Sequence, residues 1–319
     1  MQPAERILAR IPPLHPKPLF SHCIMNRDQL WKALFLPGVA KDYFAFDTLP
    51  PFESDHSDYN TANALILAEL SRWSYNSEDA EARTQSAGDP FCIPYLEKAE
   101  IQETHYFMLP EAQASLLRAK DGSYHILVFR GTSKLQDWIA NLNAPAVRWW
   151  GKGTVHKGFM EAFVKIWEVV APALQDIKGP VFYAGHSLGG ALATLTASLR
   201  APTALYTFGS PRVGNRTFTE SMEHIHVHRV VNRHDVVPTL PLPGGPLDYC
   251  HVGKLHRLGT LAKWNVLRVL AGFRMMWRQR KFALDRYLQS ENLFRPPAFL
   301  MDHAPVNYVD RLKREYRHK

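Results

Sequence analysis

The sequence predicts an α/β fold with a mostly parallel central sheet and helices on both of its faces. Short apolar segments that have the pattern of strands alternate with helical segments, an order typical of such sheets. One of them, residues 181–186, ends at a glycine-containing turn and is followed by a helix rich in Ala and Leu. With 319 residues, 46% of them hydrophobic, the chain can bury a large core.

We expect a single domain over residues 1–319. Prolines interrupt residues 1–58 so often that this segment is predicted to be a wrapping arm rather than a regular element. Next comes a helix over residues 62–73, capped by Asn60 or Thr61. Helical spacing predicts a buried stripe on it that consists of Ala62, Ile66, Leu70 and Trp73.

The strands follow in order. Residues 113–118 and 124–130 are predicted to form a hairpin, because an Asp-Gly turn at residues 121–122 separates two apolar segments. Beyond the Ala- and Leu-rich helix, residues 203–211 predict another strand that ends in turn residues, and residues 226–232 predict the next one.

A G-x-S-x-G sequence lies at the junction of the strand and the Ala- and Leu-rich helix, the position of a nucleophile elbow. Gly185 and Gly189 lack Cβ atoms, so the strand and the helix can pack closely while Ser187 adopts a strained backbone. The first turn of the helix brings N–H groups and a positive dipole end to a developing negative charge. The pattern therefore predicts Ser187 as the nucleophile of an acyl transfer.

Such a serine needs a histidine base and a carboxylate that orients the base, in the chain order Ser, acid, His. Asp235 is the favoured acid because it follows the strand 226–232 directly, at the end of the strand where α/β sites assemble. The order also admits Asp248, Asp285 and Asp302, of which Asp302 is an awkward partner for the adjacent His303. For the base, the order leaves His251, His256 and His303 open.

Seven short segments occur together in an order known from one family: residues 128–132, 137–142, 155–159, the elbow, 208–215, 232–238 and 302–303. In them the chain resembles the fungal-type, class-three triacylglycerol lipases of the α/β-hydrolase superfamily. The resemblance implies the α/β-hydrolase fold, with Ser187 as nucleophile, Asp235 as orienting acid and His303 as base. It also implies an oxyanion hole formed by Thr132, through its N–H and hydroxyl, and by the N–H of Leu188.

A short helical lid over about residues 133–143 is implied as well, with an apolar face that consists of Leu135, Trp138, Ile139 and Leu142. An ordinary packed helix is the alternative. The chain departs from the fungal members in having three widely spaced cysteines, no disulfide framework and no recognisable secretory signal. We therefore expect a bacterial-type member that is cytoplasmic by default or exported by a non-standard route.

The formal charge of +8 is unevenly distributed, and residues 264–288 predict a basic amphipathic helix within an insertion at about 260–290. This helix could contact an anionic membrane, although packing on the body with a solvated basic flank is slightly favoured. No nucleic-acid partner is expected. His224, His226 and His228 alternate along a segment that reads as a strand, but a surface or edge strand is preferred over a metal site. We expect no metal and no cofactor.

These features predict a serine carboxylic ester hydrolase, a triacylglycerol lipase acting on lipid esters at a lipid-water interface. A phospholipase or short-chain carboxylesterase is the alternative that the same triad would serve. A non-catalytic lipid-binding protein is the alternative from another class.

Overall fold

The computed structural model describes residues 42–76, 94–132, 144–243, 248–259 and 301–318. The helices in chain order are α1 (Thr61–Trp73), α2 (Pro94–Glu97), α3 (Lys157–Gln175), α4 (Leu188–Leu199), α5 (Arg216–Glu220) and α6 (Pro305–Arg317). The strands are β1 (Ile101–Met108), β2 (Gln113–Ala119), β3 (His125–Phe129), β4 (Ala146–Arg148), β5 (Thr154–His156), β6 (Val181–His186), β7 (Ala204–Phe208), β8 (Gly214–Asn215), β9 (Val227–Asn232), β10 (Tyr249–Cys250) and β11 (Lys254–Leu258).

The main sheet has seven strands in the order β1-β2-β3-β6-β7-β9-β11. The pairings from β3 to β11 are parallel, whereas β1, β2 and β3 pair antiparallel. A small antiparallel sheet has the order β10-β8-β5-β4. The prediction of a mostly parallel sheet is thus confirmed. Because β3, β6, β7 and β9 are parallel neighbours, their C-terminal ends lie side by side at one edge of the sheet.

The predicted strands exist, with ends that shift by a few residues. Strands β2 and β3 form the predicted hairpin, and Asp121 accepts a hydrogen bond from the Ser123 N–H in the turn between them. Strand β7 covers only Ala204–Phe208, because Gly209 with its positive φ of 60° ends the extended run.

Two apolar layers enclose the sheet. Alternate residues of β6 divide between them: Val181 and Tyr183 pack toward α3 and α4, and Phe182 and Ala184 pack toward α1 and α6. Burial on both faces is what a parallel central strand requires, and all six residues of β6 are buried. The elbow therefore projects from one of the most constrained strands of the fold.

Helix α1 is more deeply buried than its sequence predicts. Asn60 is its N-cap, and the side-chain oxygen of Asn60 accepts hydrogen bonds from the N–H groups of Ala62 and Asn63 at 2.7 and 3.2 Å. All thirteen residues of α1 are buried, since β6 contacts one side of the helix and α6 contacts another. The prediction of a single buried stripe was therefore wrong in extent.

The charged side chains of α1 are buried as a pair. Arg72 contacts both carboxylate oxygens of Glu69, at 3.1 and 3.2 Å, and also binds Asp42. Glu69 accepts a further hydrogen bond from the Phe44 N–H at 2.7 Å. Burial of these charges is possible because each finds partners inside the protein.

The strand near the alternating histidines, His224, His226 and His228, differs from the prediction in where it begins and in its place in the sheet. Strand β9 begins at Val227, so His224 and His226 precede it and are exposed, whereas His228 is buried and its Nε2 donates to the Ser57 carbonyl at 2.8 Å. Strand β9 lies between β7 and β11, and the edge-strand interpretation was wrong. Within the described residues no group of three His, Cys, Asp or Glu side chains could hold a metal ion.

Several predicted features lie outside the described residues: most of the proline-rich arm, the lid over residues 133–143 and the basic helix over 264–288. Among the helices that the structure does describe, none is long and apolar enough to span a membrane.

Candidate active site

Ser187 lies at a sharp turn between β6 and α4. Its backbone has φ 58° and ψ −124°, a strained conformation for a residue with a side chain. The turn holds because the Ser187 N–H donates to the Phe208 carbonyl at 2.9 Å and the Ser187 carbonyl accepts from the Gly190 N–H at 3.0 Å. A Cβ atom at Gly185 would overlap the backbone of Gly189, so only glycine permits this crossing.

Asp235 enters the same edge of the sheet from the loop after β9. The sequence prediction placed it there because it directly follows the strand 226–232, and β6, β7 and β9 are indeed parallel neighbours. Asp235 is buried, and its Oδ1 accepts the Val237 N–H at 2.9 Å. Its Oδ2 is left to face His303.

His303 joins the two groups. Its Nδ1 lies 2.8 Å from Asp235 Oδ2, and its Nε2 lies 3.0 Å from Ser187 Oγ. A carboxylate only accepts hydrogen bonds, so Nδ1 carries the proton and Nε2 offers its lone pair to the serine hydroxyl. All three side chains are buried, with Ser187 1% exposed. The arrangement has the donor and acceptor order of a serine hydrolase triad.

Tyr308, in α6, is a member of this site that the sequence analysis did not identify. Its hydroxyl donates to Asp235 Oδ2 at 2.5 Å and accepts the Asn232 N–H at 3.1 Å. Burial and the Asp235 carboxylate raise the pKa of Tyr308 well above its usual value, so the hydroxyl remains a donor. The one feature of the sequence that could have pointed to Tyr308 is its position five residues after His303, and this spacing belongs to none of the motifs considered.

The alternative acids are engaged elsewhere. Asp302 accepts the His234 N–H at 3.2 Å and so ties the loop of His303 to the loop after β9. Asp248 is half-exposed and lies 3.3 Å from Arg216 Nε. Asp285 lies outside the described residues.

The alternative bases are also engaged elsewhere. His251 Nε2 lies 2.7 Å from the Pro238 carbonyl and donates to it, and burial lowers the pKa of His251 to about 2. The His256 ring stacks on Tyr59 with ring centres 3.7 Å apart. Of the open candidates, the structure brings only His303 to Ser187.

The two predicted oxyanion donors follow neighbouring parallel strands. Phe129, the last residue of β3, pairs with Gly185 of β6, and Thr132 follows β3 while Leu188 begins α4. A Cβ atom at Gly189 would overlap the Phe129 carbonyl, so the chain after β3 passes against the first turn of α4. First-turn N–H groups have no carbonyl partner within their own helix. These positions are compatible with two donors that converge on one oxygen, and their role stays a prediction.

The central part of the chain matches a known family. Residues 126–244 match the family described as lipase (class 3). The chain is 34% identical to a lipase of Rhizomucor miehei over 214 residues, which are 60% of this chain and 58% of the relative. Over these residues the chain is similar to the class 3 lipases. The resemblance inferred from the sequence motifs is thereby confirmed, whereas a bacterial-type origin stays a prediction.

Two further comparisons agree with this family. A secreted mono- and diacylglycerol lipase of Fusarium solani is 35% identical over 156 residues, which are 39% of this chain and 45% of the relative. The structure of a Rhizomucor miehei lipase propeptide complex has a TM-score of 0.52 and 25% identity, and the match covers 68% of this chain and 80% of that chain. The chain spans about half the length of the two curated relatives. The α/β-hydrolase fold predicted from the sequence is confirmed.

Proposed function

We propose that this protein is a serine carboxylic ester hydrolase that cleaves acylglycerols through an acyl-enzyme on Ser187. The observation that carries the proposal is the buried hydrogen-bonded chain that runs from Ser187 Oγ through His303 to Asp235. The match to the class 3 lipase family and the relatives named as lipases support the lipid ester as substrate. A triacylglycerol is the proposed main substrate.

In the proposed reaction Ser187 Oγ attacks the ester carbonyl carbon as its proton passes to His303 Nε2, 3.0 Å away. Asp235 stays ionised and stabilises the imidazolium through the 2.8 Å bond to Nδ1. The negative oxygen of the tetrahedral intermediate is held by the N–H groups of Leu188 and Thr132, each donor contributing about 3 kcal/mol of barrier reduction.

Collapse of the intermediate breaks the bond to the alcohol, which takes the proton from His303. Water then attacks the acyl-enzyme with His303 as the base, the second tetrahedral intermediate collapses, and the fatty acid leaves as Ser187 regains its proton. This sequence of steps needs no group beyond those of the chain and water.

The test compares wild type, Ser187→Ala and a matched control, Ser71→Ala. Ser71 is a second buried serine whose hydroxyl donates to the Leu67 carbonyl at 2.8 Å inside α1. We expect wild type and Ser71→Ala to hydrolyse acyl esters and to react with a fluorophosphonate, and Ser187→Ala to do neither. Absence of both activities in folded wild type would refute the proposal, and liposome binding without turnover would favour a lipid-binding protein instead.

A substrate panel distinguishes the ester hydrolases from one another. Triacylglycerols of increasing chain length, diacylglycerol, phosphatidylcholine and a soluble short-chain ester are compared below and above their solubility limits. The proposal expects the highest rate on emulsified triacylglycerol. Preference for phosphatidylcholine or for the soluble ester would instead identify a phospholipase or a short-chain carboxylesterase. A rate that rises sharply at the solubility limit is the result expected for the predicted lid over residues 133–143.

A further inference from the structure

We propose that Tyr75 and His186 are positioning residues, whose side chains connect the predicted oxyanion loop to the backbone of His303. The inference rests on the proposed function, because it assigns these groups to the same reaction. It concerns a chain of contacts through four residues that are far apart in sequence: Gly131, Tyr75, His186 and His303.

The protons of His186 can be assigned from its partners. Its Nε2 lies 2.7 Å from the main-chain oxygen of His303, an atom that can only accept, so Nε2 carries a proton. Burial, with the neighbouring His303 ring as a second cause, lowers the pKa of His186 well below its usual value, so the ring is neutral. Its Nδ1 therefore has a free lone pair, which accepts the Tyr75 hydroxyl at 2.9 Å.

The oxygen of Tyr75 faces the other end of the chain. The Gly131 backbone passes directly against this oxygen, since a Cβ atom at Gly131 would lie 1.9 Å from it. Gly131 directly precedes Thr132, the predicted oxyanion donor. The order of donation is thus Tyr75 O–H to His186 and His186 N–H to the His303 carbonyl, and the oxygen of Tyr75 contacts Gly131.

This chain fixes the spacing that the proposed reaction needs. His186 is adjacent to Ser187 in sequence, so a bond from its side chain to the His303 backbone holds the base at a set distance from the nucleophile. Asp235 orients the imidazole of His303 from its other end. Catalytic groups must be held to within about 0.5 Å, and a displacement of about 1 Å can cost about 100-fold in rate.

The neutrality of His186 also matters for the base. The rings of His186 and His303 have centres 4.5 Å apart, and His303 becomes positively charged during each step of the proposed reaction. A second positive charge at that distance in a buried site would oppose proton transfer to His303. Tyr75 keeps His186 neutral, because the Tyr75 hydroxyl donates its hydrogen bond to Nδ1, the only ring nitrogen of His186 that could take up a proton.

The test uses Tyr75→Phe, His186→Phe and His186→Gln, each measured on a soluble ester and by the rate of fluorophosphonate labelling. We expect Tyr75→Phe and His186→Phe to lower kcat and the labelling rate about 10- to 100-fold with little change in KM. His186→Gln keeps an N–H donor able to reach the His303 carbonyl, and it should recover most of the loss.

Tyr206→Phe is the matched control. The Tyr206 hydroxyl is likewise hydrogen-bonded inside the fold: it accepts the Asn60 N–H at 3.1 Å and donates to the Asp58 carbonyl at 3.2 Å. Its removal should lower the melting temperature about as much as Tyr75→Phe while leaving kcat unchanged. Equal kcat losses in Tyr75→Phe and Tyr206→Phe would mean a general structural effect and would overturn the inference.

Nitrogen-15 NMR of the histidine rings tests the proton assignment in the wild-type protein, even if the variants fail to fold. The His186 signal is identified by its loss in His186→Gln, or else by elimination against single substitutions of the other histidines. It should show a neutral ring that is protonated at Nε2 from pH 5 to 9. A proton at Nδ1, or titration near pH 6.5, would overturn the inference. Wild type that is neither active nor labelled would refute the proposed function, whereas active wild type with an equally active Tyr75→Phe would refute only this inference.

Discussion

Replacing Gly209 by alanine tests how tightly the site is packed without removing any member of the triad. Gly209 ends β7 with φ 60°, and a Cβ atom there would lie 2.7 Å from Asp235 Oδ2 and 3.0 Å from both His303 Nδ1 and the Tyr308 hydroxyl. Ordinary contacts of this kind begin near 3.4 Å. If the carboxylate oxygen moves roughly 0.7 Å away from this Cβ atom, its 2.8 Å bond to His303 lengthens to about 3.2 Å, the long end of the hydrogen-bonding range, and the bond is weakened.

The expected losses of stability and of kcat in Gly209→Ala have separate causes. A non-glycine residue in the left-handed region costs about 1 to 2 kcal/mol, and overpacking of a buried site adds about 1 to 3 kcal/mol to the destabilisation. Loss of the acid that orients the base can cost up to about 10⁴-fold in kcat, the value known from a serine protease. We expect Gly209→Ala to fold with a lower melting temperature and to lose about 10²- to 10⁴-fold in kcat.

Gly151→Ala is the matched control for Gly209→Ala. Gly151 has φ 76°, and a Cβ atom there would have no neighbour within 4 Å, so this variant has the backbone cost without the clash. Both variants are compared by urea denaturation and by kcat on a saturating soluble ester. If Gly209→Ala retains kcat within about threefold of Gly151→Ala, the argument that this glycine sets the position of the Asp235 carboxylate is refuted.

Three further predictions concern single groups. Tyr308→Phe removes the donor that holds Asp235 Oδ2 in position, so kcat should fall about 10-fold. The carboxylate, with one hydrogen bond fewer, also stabilises the protonated form of the His303 base more strongly, so the acid limb of the kcat/KM profile should move to higher pH. Glu69→Ala leaves Arg72 buried with only one acidic partner among the described residues and should lower the free energy of unfolding by about 3 to 5 kcal/mol in urea. The pKa of His251 is about 2 in the folded protein and near 6.5 in the unfolded chain. The neutral imidazole therefore contributes its full stabilisation of the fold above pH 6.5, and this stabilisation is lost as the pH falls toward 2. His251→Gln should make the urea midpoint less dependent on pH between 7.5 and 5.

Each of these predictions has a result that would contradict it. For Tyr308→Phe it is an acid limb that stays in place or moves to lower pH. For Glu69→Ala it is a loss no larger than that of Glu97→Ala, which removes a half-exposed pair with Lys120 at 3.1 Å and should change stability by less than about 1 kcal/mol. For His251→Gln it is a pH dependence as steep as that of wild type.

Local patterns in the sequence predicted the parts of the fold that depend on neighbouring residues. The hairpin of β2 and β3, the N-cap at Asn60 and the elbow at Ser187 all depend on residues within a few positions of one another, where turn chemistry and alternation are decisive. The extent of burial of α1 was missed, because it depends on α6, which is more than two hundred residues away in sequence.

The residues of the triad were identified from chain order, from family resemblance and from the structure to different degrees. Chain order left three histidines and four aspartates open. The position of Asp235 directly after a strand favoured it as the acid, whereas family resemblance selected His303 as the base. The parallel order of β6, β7 and β9 places Asp235 at the same edge of the sheet as Ser187, and His303 reaches both from the segment that precedes α6. Their catalytic roles remain a proposal for the experiments above.

The sequence by itself determined the fold class, the elbow and the position of the acid at the end of a strand, since glycine geometry and hydrophobic periodicity are local properties. Only the tertiary structure decided that Tyr308 and Gly209 contact the carboxylate of Asp235, and that Tyr75 and His186 connect Gly131 to His303. The physical reason is that these hydrogen bonds and close approaches form between separate elements, so their geometry exists only when the helices and the sheet have packed.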